Sequence, residues 1–301
     1  MRIGVDLGGT KIEFIALADD GKTLARTRVP APVGDYDATI EAVRSGIEKI
    51  EIQAAGSGSV GIGIPGTLSP ATGLVKNANS TWLIGRPFDR DLETALSRPV
   101  KLSNDANCFT LSEATDGAAA DFEVVFGVIL GTGVGGGISV AGRLLRGPNA
   151  IAGEWGHNPL PWPEPDELPG PRCYCGRNGC IETYLSGPAL SCHYENAGGP
   201  ESPAEAIIQG AIEGDERAER VVAAHENRLA RALAHVINIL DPDAIVLGGG
   251  LSNIERLYET VPDLWQSWVF SDRVDTPLLR PAHGDSSGVR GAAWLWPIHH
   301  S

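Results

Sequence analysis

The length, composition and charge of this chain limit the classes of protein to which it can belong. It has 301 residues, of which 42% are hydrophobic and 21% charged, which is typical of a globular protein large enough for two lobes. The formal net charge of −14 at pH 7 gives a surface that repels nucleic acid and anionic membranes. No signal-peptide core and no apolar run of about 18 residues is present. We therefore expect a cytoplasmic protein that binds neither nucleic acid nor membranes.

The first third of the chain predicts a mixed sheet with helices. Strands are expected at residues 2–7, at 11–18, before Pro30, at 59–64 and at 100–102. A helix follows the third strand, because isoleucine and valine recur three and four residues apart, and Asp37 is its expected N-cap. The last strand leads through Asn104 and Asp105 into a helix that runs to Ala114. These elements predict a first lobe at residues 1–117.

The rest of the chain predicts a second lobe at residues 118–285. It opens with an apolar strand at 124–130, typical of a strand buried on both faces. Residues 158–172 are rich in proline and acidic residues and predict an irregular surface loop. Helical spacing predicts a helix at 226–240, followed by a strand at 244–247. A terminal helix at 286–296 is expected to pack back on the first lobe, and His299-His300 is either a native end or the remnant of a tag.

Three glycine-rich turns each follow an apolar strand. Glycine lets backbone N–H groups approach a bulky anion, and Lys11 adds a positive charge to the first turn. None of the turns is a P-loop or a dinucleotide fingerprint. Together they favour phosphate binding over tight turns that bind no ligand. The turns contain Gly8, Gly9, Thr10 and Lys11; then Gly131, Thr132 and Gly133; then Gly248, Gly249 and Gly250.

The pair Asn104-Asp105 at a strand-to-helix junction has two interpretations. Asp105 can accept the proton of a substrate hydroxyl that Asn104 orients, or it can cap the following helix. The pair alone favours the cap, whereas the neighbouring phosphate-type turns favour a general base.

One histidine and three cysteines have the spacing of a metal site. His157, Cys173, Cys175 and Cys180 supply one imidazole and three thiolates, which fill the four positions of a structural zinc site. No position is left for a catalytic water, so we expect a structural role for zinc. The alternative is a set of unrelated buried thiols. Glu182 follows the last cysteine and would be held rigidly by the metal loop.

Several motifs in this chain resemble the ROK family of sugar kinases. The motifs are Asp-Leu-Gly-Gly-Thr-Lys at 6–11, Leu-Gly-Thr-Gly-Val-Gly-Gly-Gly at 130–137, Gly-Glu-Trp-Gly-His at 153–157 and Cys-Tyr-Cys-Gly-Arg-Asn-Gly-Cys-Ile-Glu at 173–182. The resemblance runs from residue 1 to about 296, and segments 77–83, 155–162 and 283–291 look like the bacterial manno(fructo)kinases. The N-acetylglucosamine kinases share the same framework. A bulky tryptophan is expected to close the pocket that an N-acetyl group needs beside C2 of the sugar.

The resemblance implies a function and a fold. The fold is α/β, a two-lobed actin-like or hexokinase-type (ribonuclease H-like) architecture with a zinc-binding loop, closing on ATP and a hexose. The implied reaction transfers the γ-phosphate of ATP to the 6-hydroxyl of fructose, with N-acetylglucosamine, mannose or glucose as alternative acceptors. A homodimer is also implied.

The resemblance further implies a role for individual residues. Asp105 matches the catalytic base and Asp6 helps to hold Mg²⁺, while the first two glycine turns match the phosphate loops and Gly249-Gly250 the adenosine-side loop. His157 would bind Zn²⁺ through one ring nitrogen and the sugar through the other. The implied sugar ligands are Asn79, Asn104, Asp105, Glu154, His157 and Glu182.

A repressor or a sugar sensor of the same family is a non-enzymatic alternative. Repressors of the family carry a helix-turn-helix before the first phosphate strand, and here that strand begins at residue 2 or 3. Repressors and sensors tend to lose phosphate-loop residues, which this chain keeps. Both alternatives are therefore disfavoured.

Overall fold

The computed structural model describes residues 1–296, apart from the side chain of Asp285, and these residues form two compact units. Unit 1 consists of residues 1–121, 137–152 and 282–296, and unit 2 of residues 122–136 and 153–281. The sequence predicts a second lobe at residues 118–285, whereas residues 118–121, 137–152 and 282–285 group with unit 1 in the structure. The pair His299-His300 lies outside the described residues. Among the described residues, no helix combines the length and the apolar character needed to cross a membrane.

Unit 1 is built on a five-stranded sheet in the order β3-β2-β1-β4-β7. Strands β1 to β3 are antiparallel, and β4 and β7 continue the sheet parallel to β1. The first seven strands are β1 (Arg2–Leu7), β2 (Lys11–Leu17), β3 (Thr23–Pro30), β4 (Ser59–Ile64), β5 (Thr67–Leu68), β6 (Val75–Lys76) and β7 (Val100–Asn104). The first three helices are α1 (Tyr36–Gln53), α2 (Phe88–Leu96) and α3 (Asp105–Thr115).

The first helix is capped two residues earlier than the sequence predicts. Asp35, not Asp37, is the N-cap of α1, and its Oδ1 accepts the Ala38 N–H at 2.9 Å. Asp37 lies in the first turn, where a carboxylate interacts favourably with the helix dipole. The predicted apolar face is confirmed, since Val43 and Ile47 are completely buried.

The second sheet has the order β10-β9-β8-β11-β12. Strand β9 leaves unit 2 after Gly136 and continues into unit 1, where Gly137 lies so close to α3 that a Cβ would be 2.5 Å from the Thr110 Oγ1. The remaining strands are β8 (Val124–Leu130), β9 (Val134–Val140), β10 (Arg143–Leu144), β11 (Ala244–Gly248) and β12 (Leu278–Leu279). The remaining helices are α4 (Glu182–Leu185), α5 (Gly187–Asn196), α6 (Ala204–Ile212), α7 (Glu216–Leu240), α8 (Leu257–Trp265) and α9 (Ser287–Trp294).

Helix α7 begins earlier than the predicted residue 226. Asp215 is its N-cap and accepts the N–H groups of Arg217 and Ala218 at 2.8 and 3.2 Å. The first turns bury Ala218 and Val222, so the apolar face extends to the new start of the helix. Charged residues between these positions hide that periodicity in the sequence.

The loop at 158–172 is mostly irregular, as predicted, but it is anchored to α7. Its short 3-10 turn Pro165–Glu167 places the Glu167 carboxylate 2.7 Å from both the Arg228 Nε and the Arg231 Nη2. Glu167 and Arg231 are buried. Burial alone would raise the pKa of Glu167, but hydrogen bonds from Arg231 and Arg228 lower it to about 2. The loop is therefore held by a buried, doubly charge-paired carboxylate.

Helix α9 packs against the sheet of unit 1, to which the sequence predicts that the chain returns. Its backbone comes so close to β1 that a Cβ at Gly4 would lie 2.0 Å from the Val289 carbonyl oxygen. A Cβ at Gly291 would lie 1.6 Å from the Cys108 carbonyl oxygen of α3. Only glycine permits these two approaches, so the position of α9 depends on residues without side chains.

Candidate functional site

The carboxyl end of β7 presents Asn104 and Asp105 in unit 1. Asn104 is the N-cap of α3, because its Oδ1 accepts the N–H groups of Ala106 and Asn107 at 2.9 and 3.4 Å. Asp105 is the first helical residue and is exposed, and its Oδ1 accepts the Ala106 N–H at 2.8 Å. The helix-capping function, which the sequence analysis considered for Asp105, therefore belongs to Asn104.

A second carboxylate lies at the carboxyl end of β1, two strands from β7. Asp6 is paired with Gly63 of β4, and a Cβ at Gly288 would lie 3.4 Å from its Oδ2. Burial, and then the negative charge of Asp105, raises the pKa of Asp6 to about 7. Asp6 is half-buried, and a desolvated carboxylate that senses a second negative charge favours a proton or a cation as its partner. The donor set thus fits a divalent cation such as Mg²⁺, which prefers oxygen ligands.

The first glycine turn follows Asp6 directly. The Gly8 N–H donates to the Lys11 carbonyl at 3.0 Å, which closes the turn between β1 and β2. Gly9, Thr10 and Lys11 are exposed at its tip. The chain thus presents backbone N–H groups and one positive side chain beside a carboxylate.

Asn79, a predicted sugar ligand, is exposed in the segment after β6. Its neighbour Ala78 is buried against Gly66, whose Cβ would lie 2.9 Å from the Ala78 Cα. Gly66 follows β4, so Asn79 belongs to the same edge of the unit 1 sheet as the carboxyl ends of β4 and β7.

Unit 2 brings the other two glycine turns together. The turn at 131–133 joins β8 to β9, with the Gly131 N–H donating to the Gly133 carbonyl at 3.0 Å. The turn at 248–250 ends β11, the parallel neighbour of β8. Gly249 has a φ of +80°, and a Cβ there would lie 2.3 Å from the Leu130 carbonyl oxygen. The two turns therefore lie side by side at the carboxyl edge of this sheet.

Glu182 is tied to the second glycine turn. Its Oε2 accepts the Val134 N–H at 3.0 Å, and a Cβ at Gly133 would lie 2.6 Å from the same oxygen. The start of α5 contacts the turn as well, because the Gly187 N–H donates to the Gly131 carbonyl at 2.8 Å. The glycine at position 133 leaves the space that the Glu182 carboxylate occupies.

The predicted metal ligands form one cluster in unit 2. The ligand atoms of His157, Cys173, Cys175 and Cys180 all lie within 4.8 Å of one another. The Cys173 Sγ is 3.5 Å from the His157 Nδ1, and the Cys175 Sγ is 3.6 Å from the Cys180 Sγ. Tetrahedral zinc with bonds of about 2.3 Å requires sulfur atoms about 3.8 Å apart. The geometry of the cluster therefore fits a four-ligand zinc ion.

The backbone of the metal loop holds the cysteines in a tight turn. The Cys173 N–H donates to the Arg177 carbonyl at 2.8 Å, and the Gly176 N–H donates to the Cys173 carbonyl at 3.0 Å. Burial raises the pKa of the Cys173 thiol and brings that of Cys180 to about 12, while the Arg177 N–H lowers the pKa of Cys175. A metal that binds here would replace the proton of each thiol, so its binding would release protons and depend on pH.

The 3-10 turn Trp155–His157 fixes the direction of the histidine ring. The buried Trp155 indole N–H donates to the Gly135 carbonyl at 2.9 Å, and the ring packs edge-on against Phe126. Glu154 is exposed at the start of this turn. The turn thus presents Glu154 and His157 from a rigid base in the core of unit 2.

Tyr174, which lies between two of the metal-cluster cysteines, is a site residue that no sequence motif of its own marks. Its hydroxyl is 2.9 Å from the His157 Nε2, and its ring packs edge-on against the imidazole. Desolvation, followed by the Glu182 carboxylate, raises the pKa of Tyr174 to about 12. Its position within the Cys-x-Cys motif was the only signal in the sequence, because contact with His157 depends on the fold of the loop.

Comparison with known proteins identifies the family. A model of the ROK family matches residues 2–298, and the chain belongs to that family. The structure resembles a ROK hexokinase from Thermus thermophilus with a TM-score of 0.86 and 33% identity, over 97% of this chain and 96% of that one. It also resembles a ROK glucokinase from Streptomyces griseus in complex with glucose and AMPPNP, with a TM-score of 0.79, 27% identity and 97% of each chain covered. The α/β, two-sheet hexokinase-type fold is therefore confirmed.

Among curated proteins, the similarity favours the alternative acceptor of the sequence analysis. An N-acetyl-D-glucosamine kinase from Vibrio atlanticus is 40% identical over 299 residues, which cover 98% of this chain and 99% of that protein. One from Pectobacterium atrosepticum is also 40% identical, over 98% of each chain. The sequence analysis expected a likeness to fructokinases, and these relatives do not support that preference.

Proposed function

We propose that this chain is an ATP-dependent kinase that phosphorylates the 6-hydroxyl of N-acetylglucosamine. The observation that carries the proposal is the 40% identity to N-acetylglucosamine kinases across 98% of the chain. The retained carboxylates and glycine turns support transfer of a phosphoryl group over binding alone, because this reaction depends on positioning and charge stabilisation.

In unit 1, Asp105 is the proposed general base. Its carboxylate is exposed and lies at the end of a strand, which suits a group that must reach a substrate hydroxyl. Asn104 uses Oδ1 for the helix cap, so its Nδ2 is the atom that we assign to a sugar oxygen, and Asn79 is a further ligand. Asp6 would hold Mg²⁺, which screens the charge of the triphosphate when bound, while Gly8 to Lys11 contact the phosphates.

In unit 2, Glu154, His157 and Glu182 are the proposed sugar ligands. Their positions depend on the metal loop and on the Val134 N–H, which orients Glu182. Bound zinc would supply rigidity through His157 and the three cysteines of the metal cluster. The turn from Gly131 through Thr132 to Gly133 is assigned to phosphate, and Gly249-Gly250 to the adenosine side.

The expectation of fructose came from the resemblance of segments 77–83 and 155–162 to the manno(fructo)kinases, together with a tryptophan expected to close a pocket beside C2 of the sugar. The Trp155 ring is instead buried against Phe126, and the Trp162 ring stacks on Trp268 with centroids 5.4 Å apart. Both rings make these contacts within unit 2, and the preference for N-acetylglucosamine rests on the similarity to the N-acetylglucosamine kinases.

The test is a panel of acceptors with the purified protein. ADP release is measured with N-acetylglucosamine, fructose, mannose and glucose over a range of concentrations, and phosphorus NMR identifies the position of the new phosphate. The highest kcat/KM is expected for N-acetylglucosamine. Fructose as the best acceptor would restore fructokinase activity as the function, and binding without ADP release would indicate a sensor.

A further inference from the structure

Tyr174 is an exposed aromatic residue whose hydroxyl is nevertheless held in place. Tyr174 is 77% exposed, yet its hydroxyl oxygen lies 2.9 Å from the His157 Nε2. The tyrosine and imidazole rings are nearly perpendicular, with an interplanar angle of 88° and centroids 5.0 Å apart. The tyrosine ring therefore packs edge-on against the imidazole, and its hydroxyl oxygen is within hydrogen-bond distance of Nε2.

The two nitrogens of His157 face different partners. Nδ1 lies 3.5 Å from the Cys173 Sγ and is part of the metal cluster, so a bound metal takes the lone pair of Nδ1. The proton of the neutral ring is then on Nε2, which becomes a hydrogen-bond donor. In this state Nε2–H donates to the Tyr174 hydroxyl oxygen.

A sugar oxygen that binds this same N–H must occupy the position of the Tyr174 oxygen. A single N–H group makes one well-directed hydrogen bond, so the tyrosine and the sugar compete for it.

We propose that Tyr174 acts as a placeholder for the sugar: its hydroxyl occupies the Nε2–H of His157 in the sugar-free protein and is displaced when the sugar binds. This inference rests on the proposed function, because it requires His157 to contact the acceptor. The exposed ring has solvent into which it can rotate, so displacement requires no change in the core. Tyr174 thereby lowers sugar affinity and keeps a donor satisfied between turnovers.

The test is Tyr174→Phe in the full chain loaded with zinc. Sugar binding is measured by calorimetry with N-acetylglucosamine, fructose, mannose and glucose in the absence of nucleotide, and zinc content by mass spectrometry. Loss of the competing hydroxyl should tighten binding of the preferred sugar about 2- to 12-fold, the range for one neutral hydrogen bond. Zinc content and the KM for ATP should not change.

A matched control is Tyr194→Phe, which removes a hydroxyl that donates to Asp215 at 2.8 Å in the same unit. It should leave the sugar Kd unchanged. Equal or weaker binding by Tyr174→Phe at full zinc content would overturn the inference, because the hydroxyl would then have no role or would contact the sugar. Loss of zinc would also overturn it by showing a structural role. A parent protein that binds none of the four sugars would refute the proposed function together with the inference.

Discussion

Replacement of Asp105 by asparagine separates catalysis from helix stability at one position. The Asp105 Oδ1 accepts a hydrogen bond from the Ala106 N–H at 2.8 Å. Asparagine has nearly the same size and keeps a carbonyl oxygen that can accept this hydrogen bond. It removes the negative charge and the capacity to accept a proton. Because Asn104 caps α3, the cap remains intact in this variant.

The expected effect on the rate is large, and that on stability small. Loss of a general base slows transfer by about 10²- to 10⁴-fold, or roughly 3 to 5 kcal/mol of barrier. Loss of a carboxylate from the first helical turn costs about 0.3 to 1 kcal/mol of stability. Asn104→Ala is the matched comparison, because loss of the cap itself costs about 1 kcal/mol.

The assay is ADP release with saturating ATP and N-acetylglucosamine, together with calorimetry of sugar binding and urea unfolding. Asp105→Asn should bind the sugar, unfold near the parental midpoint and lose nearly all of kcat. A folded, sugar-binding Asp105→Asn protein that retains more than about a tenth of the parental kcat would show that the base lies elsewhere.

Three further predictions concern Cys175 in the metal loop, Asp6 at the end of β1, and Glu167 in the loop that is anchored to α7. Cys175→Ser should lower zinc content and Tm together, whereas Cys192→Ser, at another exposed cysteine, should change neither. Asp6 has a folded pKa of about 7, above its unfolded value, so its proton stabilises the folded state at low pH and that stabilisation is lost as the pH rises through 7. In magnesium-free buffer, Asp6→Asn should remove about 3 kcal/mol of the fall in unfolding free energy between about pH 5 and about pH 8, and an unchanged slope would contradict the assignment. Glu167→Ala leaves the buried Arg231 cation without its carboxylate and should cost about 3 to 5 kcal/mol in urea unfolding.

Local patterns were sufficient to predict most strands and the clustering of one histidine with three cysteines. Strand β8 is a continuous apolar run, and its predicted bounds agree with the structure. The four ligands of the cluster are close in sequence, so short loops bring them together. Patterns of this kind act over a few residues, and the chain has little freedom to place such residues elsewhere.

Features that depend on contacts between distant residues were not predictable. The buried Glu167 joins Arg231 across more than sixty positions, and nothing around either residue marks them as partners. The N-cap of α1 was missed for a local reason, because a difference of two residues in where the helix begins decides that Asp35, and not Asp37, accepts the Ala38 N–H. The preference between fructose and N-acetylglucosamine depends on where hydroxyl and amide groups of the sugar are placed, which short motifs do not encode, and here it was corrected by the relatives.

The position of α9 has a consequence for how the chain is made. The ribosome synthesises β1 and β4 before any residue of unit 2, and α9 only after all of it. Until then, Gly4 and Gly61 lack the backbone of Val289 and Ala292, against which they pack in the finished fold. Synthesis of unit 1 therefore begins before that of unit 2 and ends after it. The nascent chain must keep one face of its first sheet uncovered while unit 2 emerges.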